Sequence, residues 1–164
     1  MPMSPERSPS SEVTSQARPL HQDGRTTVDP FEPDEFLYRR YAVIHFADGR
    51  VLPQSIRFPK PSFNRSKFSI PENVLHADCC NGKELSGLGV LEGKVSDLSV
   101  SAESGDMRRF TTYPKHVPEP TCYAHSELWC TSPNSEDARP SESAKEKLRI
   151  LLARALRVRI PATA

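Results

Sequence analysis

The sequence predicts an α+β fold: a mainly antiparallel sheet with a short helix and a C-terminal helix packed on it, behind a disordered N-terminal arm. Three observations carry this expectation. Apolar and polar residues alternate with period two in several short runs separated by Gly, Pro, Asn and Asp. One stretch near the end instead has helical spacing, with a Ser-x-x-Glu box at its start. Residues 1–30 hold five prolines and five serines and no repeated apolar face, so nothing there offsets the entropy of ordering. The domain division is therefore an arm over 1–30 and a single domain over 31–164.

The first element is a hairpin. Aromatic and β-branched residues run from Phe36 to Phe46, Asp48-Gly49 supplies two positive-φ positions, and Arg50 to Phe58 returns antiparallel. Pro53 cannot donate to a ladder, which places that return at an edge or a bulge. Ser69 and Glu72 form a capping box for a short helix over 71–76, with Pro71 early, where its missing N–H is tolerated. Glycines 82, 87, 89 and 93 punctuate a strand near 88–92; residues 94–106 read as loop with room for one helical turn, and 107–113 as a strand. Residues 122–130 alternate, with Tyr123, His125, Glu127 and Trp129 on one face and Cys122, Ala124, Ser126, Leu128 and Cys130 on the other. Ser143 and Glu146 open the final helix, whose apolar residues are Leu148, Leu151, Leu152 and Ala155. From Leu156 the period becomes two, so a short strand closes the chain at Pro161.

Composition excludes more than it selects. The formal charge is +1, from 22 basic and 21 acidic residues, so no global field points to nucleic acid or membrane. No run approaches the ~18 apolar residues of a membrane span, and the first residues lack the apolar core of a secretory signal. The expected location is cytoplasmic. Cys79 and Cys80 are adjacent, and Cys122 and Cys130 are separated by seven residues, which suits neither paired zinc ligands nor a disulfide framework; free thiols are expected, and no metal or other cofactor.

Two constellations could carry chemistry. His125 and Glu127 lie two apart on a strand, about 7 Å between side chains, and His116 sits on the approaching loop "YPKHVPEP". Imidazole beside carboxylate suits general acid–base work, and the same three groups are ligand types for an open metal site. They equally suit an outward polar face. The second set is basic: Arg39, Arg40, Arg57, Lys60, Arg65 and Lys67, interleaved with Tyr38, Tyr41, Phe58, Phe63 and Phe68. Guanidinium groups among aromatics would suit a nucleotide or nucleic-acid phosphate, with Arg57–Lys67 as the contact segment; the alternative is a sheet with a basic outer and an aromatic inner face. His45 reads as a core histidine. No glycine-rich phosphate loop, G-x-S-x-G elbow or HExxH helix occurs.

The order "LYRR", "HFADGRV", "SFNRSKFSIPENVL" and "YAHSE", over roughly residues 36–130, resembles short bacterial proteins of unassigned activity. A second resemblance, to small ADP-ribosyltransferase-like domains, rests on a strand that opens with an arginine. It would place Arg40 and Glu127, and the aromatic and serine positions of that family have no counterpart between them. Two functions remain open. One is an interaction module or accessory subunit that binds a protein partner. The other is an enzyme acting on a nucleotide or nucleic-acid phosphate through His116, His125 and Glu127.

Overall fold

The computed structural model of the chain describes residues 24–75 and 87–163. Nine strands are present among them: β1 (Phe36–Tyr41), β2 (Phe46–Ala47), β3 (Arg50–Val51), β4 (Ser62–Arg65), β5 (Gly89–Lys94), β6 (Ser101–Glu103), β7 (Arg109–His116), β8 (His125–Thr131) and β9 (Arg157–Ile160). Seven form one sheet in the order β6-β7-β8-β4-β1-β5-β9, every neighbouring pair antiparallel. The single α-helix, α1 (Glu142–Ala155), packs on one face, where its Leu152 and Ala153 meet Leu37, Phe63, Leu91 and Leu128. The expected α+β class is what the chain adopts.

The first hairpin differs from expectation. Asp48 and Gly49 do make the turn, with φ of 53° and 74°, but only Phe46↔Val51 and Ala47↔Arg50 pair across it. The long first strand breaks after Tyr41, and β1 pairs with β4 and β5 instead. Tyr41 lies opposite Gly89, the first residue of β5, so the chain beyond it has no ladder to join. It folds into a 3₁₀ turn over Val43–His45, and His45 is half-buried there rather than in the core. Pro53 opens a second 3₁₀ turn, Pro53–Ser55, which needs no donor at that position.

Other elements moved less. The short helix is a 3₁₀ helix, Pro71–Leu75. The segment read as loop over 94–106 contains a 3₁₀ turn, Val95–Asp97, and strand β6. Strand β7 extends three residues past Tyr113 to His116, and Ser126, Leu128 and Cys130 of β8 are buried as the alternation required. Helix α1 starts earlier than expected: Ser141 is the N-cap, its Oγ accepting from Ala144 N–H at 3.3 Å. Ser143 Oγ instead accepts from Gly105 N–H at 3.2 Å.

Residues 24–30, assigned to the arm by their composition, are packed on the domain. Arg65, with no solvent exposure, reaches back to them: its Nη1 donates to Asp29 O and its Nη2 to Pro30 O, each at 3.0 Å. The same guanidinium forks onto Glu35, Nε to Oε1 at 2.8 Å and Nη2 to Oε2 at 2.9 Å. A buried charge is tolerable only when paired and hydrogen-bonded, and here the pairing also fixes the entry of the chain into β1.

Candidate functional site

Pairing register decides which candidates can meet. His125 lies opposite Asn64 on β4, and Asn64 opposite Tyr38 on β1. These three side chains form a row on the sheet face away from α1. His116 lies opposite Ser126, one residue out of phase, so its side chain is on the other face. The set His116, His125 and Glu127 therefore does not converge.

His116 sits among aromatics, 5.7 Å from the Phe68 ring and 4.9 Å from the Tyr123 ring. Both of its ring nitrogens are buried and take no hydrogen bond among the described residues. Burial, and then the Arg65 charge, hold its pKa down to about 4. Such a ring is neutral and packed. Glu127 shares the face of His125 but is occupied by its own strand, accepting from Trp129 Nε1 at 3.1 Å. The Trp129 indole in turn carries the Lys60 ammonium at 3.9 Å and the Lys115 ammonium at 3.7 Å from its centroid.

His125 has a different carboxylate. Its Nδ1–H donates to Val117 O at 2.7 Å, which fixes the tautomer and leaves Nε2 facing Glu119 Oε1 at 3.5 Å. Glu119 is held by a reciprocal pair of backbone hydrogen bonds with Cys122, each 3.0 Å. Around this pair lies a cleft of about 200 Å³ whose lining includes Tyr38, Arg40, Asn64, Val74 and Cys122. The proline-rich loop does aim a side chain, as its sequence implied, but that side chain is Glu119. A carboxylate between two prolines carries no pattern that marks it beforehand.

The basic set is dispersed. Arg65 is fully buried and engaged within the fold. Lys67 pairs with Asp29 Oδ1 at 2.9 Å, and Lys60 with Asp137 Oδ2 at 3.2 Å as well as with Trp129. Lys67 and Arg65 together hold Asp29 ionised, lowering its pKa although burial alone would raise it. Arg40 lines the cleft, half-buried, and burial lowers its pKa. Arg57 is exposed. These five do not form one phosphate-binding strip, because acids of the same chain neutralise three of them. Arg39, also in the basic set, is a half-buried cation on the α1 side of β1. Its Nη1 donates to Ser62 O at 3.0 Å and its Nη2 to Ser55 O at 2.8 Å.

Cys122 is disulfide-bonded, contrary to the free-thiol expectation, and Cys130 is free and buried, its pKa raised by burial to about 11. Disulfides persist mainly in oxidising compartments, so the cysteines give no support to a cytoplasmic location. The expectations for His76, Cys79, Cys80 and Gly82 lie outside the described residues. Among those described, no helix is long and apolar enough to cross a membrane, and no three His, Cys, Asp or Glu side chains are grouped to hold a metal ion. The chain matches no protein-family model, no curated protein and no solved structure.

Proposed function

We propose that the protein is a binding module for a protein partner, and that its contact surface is centred on the exposed turn Val43–His45. One observation carries this reading: Val43 and Ile44 are adjacent, 42% and 78% exposed, on a turn that is not part of the main sheet. Burying one such side chain stabilises by about 1.5–3 kcal/mol, and the fold forgoes this at two successive positions. The turn is held rigidly: His45 N–H donates to Ala42 O at 2.9 Å, and Leu52 N–H to His45 O at 2.8 Å. An apolar tip on a fixed backbone, followed in the chain by the exposed and charged Asp48, Arg50 and Arg57, has the mixed apolar and polar composition of a contact surface.

Site-specific photo-crosslinking in the native host tests it. A photoreactive side chain at Ile44 is expected to give one discrete protein adduct that excess unlabelled protein competes away. The same group at Met107, also 78% exposed, serves as the control. Equal labelling from both positions would overturn the reading.

A second reading is favoured by the His125–Glu119 pair. In it the protein is an enzyme acting on a nucleotide or nucleic-acid phosphate, with His125 Nε2 accepting a proton in the cleft and Glu119 stabilising the imidazolium. Phosphate release from nucleotides by the wild type, lost in His125→Asn, would support it. No turnover above that of His125→Asn would remove it.

A further inference from the structure

We propose that Arg39 and Arg57 form a receptor for an oxyanion, a carboxylate or phosphate group carried by the partner. The inference deepens the binding-module reading and rests on it for the source of the oxyanion. Arg65 and Arg39 are both drawn into the fold, and they are treated differently. Arg65 has Glu35 and Asp29 against it. Among the described residues Arg39 has neutral groups against it: the carbonyls of Ser55 and Ser62, and the Phe63 ring 5.5 Å from its guanidinium carbon. Those two carbonyls use two of the five N–H donors that a guanidinium offers. Neutral dipoles orient the group without cancelling its charge.

The nearest charges make this worse. Burial, then Arg57, then Arg40 lower the Arg39 pKa to about 10, and no carboxylate acts on it in the opposite sense. Arg57 is exposed and makes no ion pair among the described residues. Beside them the Ser55 hydroxyl, on the residue whose carbonyl anchors Arg39, is buried and takes no hydrogen bond. An arginine of β1 held by the carbonyl of Ser55, and a second, exposed arginine two residues further along that segment, match what a carboxylate or phosphate recruits. The same segment includes the 3₁₀ turn Pro53–Ser55, which packs against the turn bearing Val43 and Ile44. The partner chemistry that fits is thus an oxyanion close to an apolar side chain.

The test uses the full ¹⁵N-labelled chain, with its arginine Nε–H resonances followed during titration with inorganic phosphate at constant ionic strength. The expected result is a saturable shift at Arg39 that chloride does not reproduce. Arg57→Gln, at an exposed position that leaves the fold intact, is expected to weaken phosphate binding about tenfold, the loss of one charge-assisted hydrogen bond. Arg154→Gln, on the exposed face of α1, should leave it unchanged. A shift matched by chloride, or equal weakening in both variants, would overturn the site. Glutamate-bearing and phosphoserine-bearing versions of one apolar peptide then compete with phosphate. The stronger competitor identifies the source, and displacement by neither would overturn a partner-borne oxyanion. Phosphate binding at Arg39 is read independently of crosslinking at Ile44, so the two proposals can fail separately.

Discussion

Arg65 and His116 lie on the same side of the sheet, and each is explained by what surrounds it. Removing the Arg65 charge would strand Glu35, itself 8% exposed, together with Asp29. Arg65→Met should therefore cost about 3–5 kcal/mol, as breaking one half of a buried pair does, read as a lowered denaturation midpoint. Arg65→Met combined with Glu35→Gln should recover part of that loss. His116 gives a pH dependence whose sign is set by its burial. The unfolded chain takes up this proton near 6.5, whereas the folded state resists it down to about 4. Stability from the neutral ring is therefore complete above pH 6.5 and is lost as pH falls from there towards 4. His116→Phe keeps the ring contacts, removes both orphaned nitrogens, and should flatten the melting-temperature profile over that window. An unchanged profile would show that His116 is not held neutral. Sequence alone could not separate the arginines, since Arg39, Arg57 and Arg65 differ in which carboxylates the fold brings to them, not in local pattern.

At the scale of elements, turn and cap chemistry was legible and partnering was not. Asp48-Gly49 makes the expected turn because few other residues accept two successive positive φ values. The final helix was placed by its apolar spacing, yet its start was read at Ser143, and the structure gives the cap to Ser141. Ser141→Ala should destabilise by about 1 kcal/mol, more than Ser143→Ala, whose hydroxyl serves Gly105 N–H from an exposed position. The final strand depends on a glycine. A Cβ on Gly89 would lie 2.5 Å from both Ala162 N and Tyr41 Cε1. Gly89→Ala should thus displace β9 from β5 and speed amide exchange over Arg157–Ile160, while β7 and β8 stay protected. Equal loss of protection throughout would contradict this local role.

For the whole molecule, alternation and turn residues were enough to reach an antiparallel α+β fold, because each strand writes its two faces into its own sequence. Strand order was not, since β1 lies between β4 and β5 and its neighbours are chosen by contacts distant in sequence. The candidate site divided along the same line. His125 was found because its strand is short and regular; Glu119 was missed because a loop delivers it, and His116, read as a loop residue, instead ends β7 on the opposite face. The exposed tip at Ile44 could not be foreseen while residues 36–46 read as one strand. The functional claim therefore concerns the exposed turn Val43–His45 and not the His125 cleft. The most direct measurement is the affinity of the partner captured at Ile44 for wild type, Ile44→Glu and His125→Ala. The account expects binding to be lost in Ile44→Glu and retained in His125→Ala, with all three proteins equally folded by melting temperature. Loss in His125→Ala with retention in Ile44→Glu would contradict it and move the function to the cleft.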